Sequence, residues 1–394
     1  MRRFWLLIAV SLGAALAACW DFEGAYDACV DGGRCTGGGG GDGGDGGDGG
    51  GGGDGGGGSD GGGDAGSDGG SDGGGGGSDA GPTCPPGAPT GNGLCLVGRF
   101  DRDAPMYGIF GVSPDLVYFG GNDEAVSIWQ AGVMSHEVTG LTNGDILRDL
   151  SGTSENAIWA ATSTLSTSNH VYRYNGLNWV DVTPAVFTAG DCNGAWSEDA
   201  GLALLACDQG LWQVNTLRIG QVIAQPPGVS FWGVWGIPGG PVWAVGGDST
   251  VGTANIWERR GGTWRELAFP GLATLREVHG RSDRDVWAVG DGALLMHLTD
   301  AGWQTFNTTF TQDLGDVFVA TSGEVWATTY LNRLFVIATD GGQRSFVPPG
   351  LPTVPGADFF RQIHVFDSGD LWITTQTDDG GSLYHGAEYH YRKL

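Results

Sequence analysis

The stretch DVWAVGDGALLMHLTDAGW, residues 285–303, decides how the chain folds. Its glycines Gly290 and Gly292 either open a nucleotide-binding loop or turn the chain between strands. The dinucleotide fingerprint requires a third glycine at fixed spacing and a helix after the loop. This stretch has neither. ALLMHLT runs through the turn Asp300-Ala301-Gly302 into Trp303, which reads as a third and a fourth strand. The glycines are then turn residues, and the question becomes how often the unit recurs.

It recurs seven times. LVYFGG (116–121), AIWAAT (157–162), ALLAC (203–207), PVWAVGG (241–247), DVWAVGD (285–291), EVWATT (324–329) and DLWITT (370–375) carry an anchor at one strand position. The anchors Tyr118, Trp159, Leu204, Trp243, Trp287, Trp326 and Trp372 are 41, 45, 39, 44, 39 and 46 residues apart. Each strand is preceded by another apolar one (YGIFG, LRDLSG, CNGAWS, FWGVWG, REVHG, GDVFV, RQIHV) and followed by a third and usually a fourth. Four short strands per unit, in tandem and rich in β-branched and aromatic residues, is the pattern of a propeller blade. One such sheet is marginal alone, whereas sheets packed face to face bury both surfaces, so strands such as VWAVG are apolar without interruption. The expected fold class is all-β, a seven-bladed β-propeller of four-stranded antiparallel blades. The blades are placed near 107–143, 147–188, 192–228, 231–272, 275–311, 314–350 and 360–394. The repeated anchors are read as packing between blades.

On these residues the sequence resembles kelch-like and BNR-like propeller repeats. VWAVGGDSTVGTANIWERRGGTW (242–264) looks like a kelch unit, and TDAGW (299–303) is a shortened relative of the Asp-box. The resemblance implies architecture over about three quarters of the chain. It implies little about function, because propellers host enzymes, lectins and scaffolds alike.

The first strand of each blade is expected to line the central channel. Its middle residue is always apolar (Ile109, Leu150, Ala195, Val234, Val278, Val317, Ile363). One flanking ring reads Gly108, Asp149, Gly194, Gly233, Glu277, Asp316 and Gln362, and the other Phe110, Ser151, Trp196, Trp235, His279, Phe318 and His364. The candidate binding residues are Asp149, Glu277, Asp316, His279, His364 and Trp235. Three acids near one axis offer the oxygen ligands that a structural divalent cation takes; the alternative is a solvated channel lined with whatever fits. No other cofactor is expected. Trp196, Trp232 and Trp235 are the positions at which a lectin would present aromatic faces to sugar.

Loop lengths indicate which face is used. Turns between first and second strands are short (SPD, TSEN, SDRD, DSG). Connections between second and third strands are longer (162–170, 246–255), and 348–358 leads into the last blade. These longer connections share one face, where binding is expected. The sequence holds no H-E-x-x-H, P-loop or G-x-S-x-G motif, and Phe360-Arg361-Gln362-Ile363 lacks the proline of a sialidase segment. His385 and His390, five apart on a hairpin, read as surface residues. A catalytic role therefore ranks behind a binding one.

The N-terminus points to the compartment. Met1-Arg2-Arg3 is a short positive region and Phe4 to Leu16 an apolar run too short to span a bilayer, which together read as a secretory signal. Its end, Leu16-Ala17-Ala18-Cys19, resembles the bacterial lipobox. That resemblance implies cleavage before Cys19 and acylation of it with palmitate-type chains, and several chains on one residue anchor stably. The expected location is the bacterial cell envelope, at the outer membrane or cell surface ahead of the inner membrane. The whole chain has a net charge of −26; loss of residues 1–18 removes Arg2 and Arg3 and no acid, leaving 17 basic against 45 acidic residues, a net −28. Such a balance repels nucleic acid.

After a tether (19–35), residues 36–81 are nearly all Gly, Asp and Ser, with nine aspartates and no basic residue. Such a tract cannot bury surface to offset its ordering entropy and reads as a disordered spacer. Its r.m.s. span would be roughly 35–40 Å before charge repulsion extends it. Its GGD spacing lacks the apolar position of calcium-binding repeats and the proline of collagen, though weak divalent-cation binding stays open. The propeller domain follows at 82–394. Besides Cys19, six cysteines remain, and spacing favours three local disulfides, Cys29–Cys35, Cys84–Cys95 and Cys192–Cys207; for the last pair, buried thiols are the alternative. A hairpin turning at Glu198-Asp199-Ala200-Gly201 would put Cys192 opposite Cys207.

The reading is a cell-envelope lipoprotein that displays a monomeric propeller as a non-catalytic binding module for a protein partner. A lectin-like propeller binding envelope or extracellular polysaccharide is the alternative, and a glycan-cleaving enzyme stands third.

Overall fold

A computed structural model describes residues 84–394 apart from 123–124, 139–140, 142–143, 165–169, 184–186, 188–189, 216–218, 227, 249, 352–358 and 379–383. The signal segment, Cys19, the Cys29–Cys35 pair and the 36–81 spacer lie outside the described residues, as do most of the expected long connections at 165–169 and 352–358.

The described chain is a seven-bladed β-propeller of antiparallel sheets. From inner to outer strand, blade 1 runs from Met106–Ser113 to Val133–Val138, blade 2 from Asp145–Ser154 to Trp179–Asp181, and blade 3 from Cys192–Asp199 to Ile219–Ala224. Blade 4 runs from Ser230–Gly236 to Thr263–Pro270, blade 5 from Leu275–Ser282 to Gly302–Thr305, and blade 6 from Leu314–Val319 to Gln343–Phe346. Blade 7 is built from both ends of the chain. Phe359–Val365, Asp370–Asp378 and Tyr384–Lys393 are its first three strands, and Leu94–Arg102 is its fourth. That strand pairs with Tyr384–Lys393 from Leu94↔Lys393 to Arg102↔Gly386. Residues 360–394 alone are therefore an incomplete blade, completed by a strand that precedes all the repeats.

The opening stretch shows why these residues form these strands. Trp287 faces His297 across the second and third strands of blade 5, their rings stacked 3.8 Å apart at 12°. Asp285 accepts a hydrogen bond from Trp287 Nε1 (2.9 Å) and pairs with His297 Nε2 (3.0 Å); the bond from His297 is the main reason its carboxyl is held down to about 2. Between them, Gly290 precedes a one-turn 3₁₀ element, Asp291–Ala293, Gly292 lies within it at positive φ, and the chain returns as strand Leu295–Thr299. Blade 7 repeats the device with Asp370, Trp372 and His390: the rings stack 4.2 Å apart, and His390 Nε2 lies 2.8 Å from Asp370. The surface reading of His390 is thereby corrected, since it is buried beneath Trp372 and fixed by a carboxylate. In the hairpin of blade 4, Arg260 pairs with Thr263 across Gly261 and Gly262, both at positive φ, a two-residue turn that suits glycine.

All seven repeat anchors are buried, at 5% exposure or less. The apolar clusters bridge neighbouring blades: Trp287 and Val289 of blade 5 pack with Leu314, Val317 and Phe335 of blade 6. Burying one such side chain stabilises by about 1.5–3 kcal/mol, so the ring is held by repetition of one contact.

One irregularity recurs in every inner strand. The register shifts by one residue after Met106, Leu147, Cys192, Phe231, Leu275, Leu314 and Phe360, which leaves a β-bulge at Tyr107, Arg148, Asn193, Trp232, Arg276, Gly315 and Arg361. In blade 3 this changes the expected hairpin. The turn lies at Asp199↔Leu202, one residue later than expected, and a second shift before it gives Ser197↔Ala203; the bulge at Asn193 then returns Cys192 to a place opposite Cys207. The Cys192–Cys207 disulfide forms, through two bulges instead of a regular ladder. Cys84–Cys95 also forms and ties the incoming chain to the closing strand.

Leu94, fully buried on that closing strand, packs with Phe346, Tyr389 and Tyr391. Leu94→Ala is expected to cost about 2–5 kcal/mol in chemical denaturation, as for a core leucine; a change within 0.5 kcal/mol would contradict closure by this strand.

Candidate functional site

Two sets of side chains meet at the axis, and the bulge separates them. The residue before each bulge is buried in the sheet sandwich, from Met106 to Phe360, and the residue after it turns into the channel. Except for Tyr107, buried at 7% exposure, the bulged residue itself is partly exposed. It sits where the inner strand begins, on the face that carries the connections between second and third strands.

Inside the channel, the acidic ring is built from cross-blade hydrogen bonds. Asp149 of blade 2 accepts from its neighbour Leu150 N (2.8 Å), from Ala195 N of blade 3 (2.7 Å) and from Gln362 Nε2 of blade 7 (2.8 Å). Asp316 of blade 6 accepts from Val317 N (2.8 Å) and from Ile363 N of blade 7 (2.7 Å). Gln362 in turn accepts from Ile109 N of blade 1 (2.6 Å), and it reaches Asp149 across Gly108, whose missing side chain leaves room for the Asp149 backbone. Glu277 accepts from Val278 N (2.9 Å) and lies against Gly233 of blade 4. These carboxyls thus take up backbone N–H groups where bulges have interrupted the ladders. They share one channel: burial first, then the charges of Asp316 and Asp149, push Glu277 well above the usual carboxylate range. Burial likewise raises Asp316 to about 8 and Asp149 to about 6, against the opposing pull of their hydrogen bonds. Among the described residues no group of three or more His, Cys, Asp or Glu side chains has the arrangement of a metal site.

The second ring is aromatic and lies nearer the short-turn face. Trp235, His279, Phe318, His364 and Phe366 form a chain of ring contacts with successive centroids 5.3, 4.4, 4.7 and 4.6 Å apart. Four of the bulky members lean on a glycine of the next blade: Phe110 on Gly152, Trp196 on Gly236, Trp235 on Gly280 and His364 on Gly111. Where blade 2 has Ser151 instead, Ser197 bonds to it through both its N–H and its hydroxyl, each at 2.8 Å. His279 Nδ1 accepts from Val319 N at 3.0 Å. Burial lowers His279 to about 3 and His364 to about 4, so both are neutral near pH 7. Trp196 and Trp235 are therefore committed to packing, the latter also stacked on Trp243.

The set that sequence reasoning did not assemble is the bulge set. Arg148 lies over the Tyr107 ring at 4.7 Å, Arg361 over the same ring at 5.1 Å, and Arg276 over Trp232 at 4.0 Å. Each pair crosses a blade boundary. Side chains at the ends of second strands hold the arginines: Arg148 Nε donates to Ser163 (2.7 Å), Arg276 makes a bidentate pair with Asp291 (both 2.9 Å), and Arg361 donates to Gln376. Only the bulge brings these residues together. In the sequence each is simply the residue two before the apolar middle of an inner strand.

No family model matches the chain, and no curated protein matches it. Solved structures do. The chain is similar to YCF48 bound to a D1 peptide, at 14% identity and a TM-score of 0.57 over 77% of this chain and 98% of that one. It is similar to YCF48 from Cyanidioschyzon merolae at 12% identity and 0.54, over 73% and 98%. It is also similar to the WD40 β-propeller domain of Doa1 at 10% identity and 0.58, over 77% and 97%. At these identities the likeness is one of fold.

The channel carboxyls yield a pH prediction. Asp316 and Glu277 keep a proton in the folded state that the unfolded chain releases near pH 4, so stability falls as pH rises toward 8. His279 and His364 act oppositely, but only below about pH 6.5, above which they are neutral whether folded or not. Between pH 6.5 and 8 the unfolding free energy is expected to decline, and Asp316→Asn is expected to flatten that decline while losing about 1–3 kcal/mol at pH 6.5 from one weakened acceptor. A wild-type curve that is level or rises over this window would contradict the assignment.

Proposed function

We propose that the protein is a cell-envelope lipoprotein that presents the propeller as a non-catalytic binding module for a protein partner. The observation that carries this reading is the division of the inner strands. The channel side chains are spent on cross-blade bonds and packing, whereas the bulge residues at the mouth gather polar and aromatic groups on a rigid frame. Large aromatic and arginine side chains on a preorganised surface are what protein recognition favours. The similar propeller YCF48 is seen with a D1 peptide bound, which supports a peptide-recognising use of the fold.

The anchor completes the proposal. Leu16-Ala17-Ala18-Cys19 supports acylation at Cys19, with the Gly/Asp/Ser tract as spacer. The described chain begins at Cys84, bonded to Cys95 at the start of the closing strand. That strand start lies at the short-turn face: Leu394 N donates to Gly93 O, and Lys393 N to Gly369 O in the first turn of blade 7. The polysaccharide reading keeps one supporting position, the partly exposed Trp232 beside Arg276.

A photo-crosslinking residue placed at Gln209 or Leu331, exposed on the long-loop face, is expected to trap a discrete protein adduct in intact cells. The same residue at Glu155 or Ser322, exposed on the short-turn face, is expected to trap none. Adducts from the short-turn positions alone, or adducts that are glycan and not protein, would overturn the reading. In the same cells labelled palmitate is expected in the wild type and not in Cys19→Ser; label persisting in the variant would overturn the anchor.

A further inference from the structure

We propose that the arginines of the bulge set, Arg148, Arg361 and Arg276, with Tyr107 and Trp232, form a recognition collar for a carboxylate-rich segment of a protein. The inference rests on the binding-module reading and names the chemistry of the partner.

The first argument is the placement of charge. The chain has 19 basic residues against 45 acidic, yet three of seven bulge positions are arginine and none is acidic. The chain's single lysine, Lys393, is spent elsewhere, on Glu324. Arginine is thus enriched at the one ring of positions that the bulges deliver to the mouth of the channel, with the charge of Arg276 matched there by Asp291.

The second is geometry. A guanidinium stacked on an aromatic ring presents its N–H groups at its edge, in the plane where a carboxylate meets it in a fork. Arg148 and Arg361 share Tyr107 from the two adjacent blades, and Arg276 has Trp232, so both groups are held in orientation before a ligand arrives. Preorganisation of this kind reduces the ordering cost of binding. Arg276 already demonstrates the contact, since it holds the Asp291 carboxylate bidentately.

The third is what lies beneath. An anion at the mouth would sit above the acidic ring. Asp316, however, is pushed by burial to about 8 and so carries a proton at neutral pH, burial and the neighbouring carboxylates push Glu277 in the same direction, and Asp149 is covered by three N–H donors. The floor of the collar is therefore far less negative than the composition suggests.

The size of the ligand follows from the rest of the surface. At physiological ionic strength charges are screened beyond about 8 Å, so a short acidic segment over the collar feels the arginines and the Asp291 carboxylate paired with Arg276, and little of the more distant negative charge. A long polyanion, whether nucleic acid or polyuronate, would extend over that negative surface and be repelled. A few carboxylates on a peptide fit; a continuous polyanion does not.

The test uses the full chain, solubilised in detergent, with rhodamine-labelled hexaglutamate as probe and fluorescence anisotropy as readout. Saturable binding is expected, lost with rising salt and absent for hexalysine. The double variant Arg148→Gln with Arg361→Gln is expected to weaken it at least about tenfold and Arg276→Gln severalfold. Arg284→Gln, on the short-turn face, is expected to leave it unchanged. Arg148→Lys, which keeps charge but not the planar fork, is expected to give partial loss, and circular dichroism checks that each variant is folded. Hexaglutamate binding that is absent, or that survives the double substitution in a folded protein, overturns the collar. Hexagalacturonate binding as tightly as hexaglutamate overturns the protein-segment assignment in favour of an acidic polysaccharide. Protein adducts trapped at Gln209 or Leu331 without hexaglutamate binding would confine the failure to this inference and leave the binding-module reading standing.

Discussion

Seven twisted sheets must bring their inner strands together around one narrow axis, and the bulge at the start of each inner strand is how this chain meets that constraint. The bulge interrupts the ladder, and the N–H groups nearby need new acceptors. Side chains from neighbouring blades supply them: Asp149 to Ala195, Asp316 to Ile363 and Gln362 to Ile109. Where a side chain would not fit, the chain has glycine, as at Gly233 beside Glu277. The carboxyls that look like a cation cage in the sequence are thus tied into the joints between blades. Their cost is burial, which keeps Asp316 protonated into the neutral range and pushes Glu277 in the same direction.

The same bulge creates the collar. It adds one residue, and it does so at an equivalent place in all seven blades. A repeated scaffold thereby presents six side chains and one glycine, Gly315, in a ring, in a chain whose overall charge is opposite to that of the three arginines among them. Arg148 and Arg361 meet over Tyr107 only because blades 7, 1 and 2 are neighbours in space. That adjacency depends on closure of the ring by Leu94–Arg102, so the strand that completes blade 7 and the group of residues at the mouth rely on each other.

Much of the fold was legible in the sequence because it is periodic. The anchors from Tyr118 to Trp372 recur at blade spacing, all are buried, and the Asp285-Trp287-His297 cluster lies within one short stretch. The two described disulfides were legible from local spacing, although the Cys192–Cys207 register is reached by a different turn and two bulges. What was not legible is what periodicity hides. LCLVGRFDR precedes the first repeat and pairs with a strand almost three hundred residues later, so no local pattern marks it as the closing strand. His390 reads as a surface residue until Trp372 and Asp370 of a neighbouring strand are placed beside it. Reading the inner strands as regular ladders grouped Asp149, Glu277 and Asp316 in one ring, but it passed over Arg148, Arg276 and Arg361, because a register shift leaves no mark in composition.

The central claim is that recognition takes place at the bulge-lined mouth of the long-loop face. Hydrogen–deuterium exchange of the full chain with and without hexaglutamate tests it most directly. The account predicts added protection in segments covering 145–150, 273–278 and 359–363, with the short turns at 153–156 and 283–284 unchanged. Protection confined to those short turns, or to the outer strands, would contradict it.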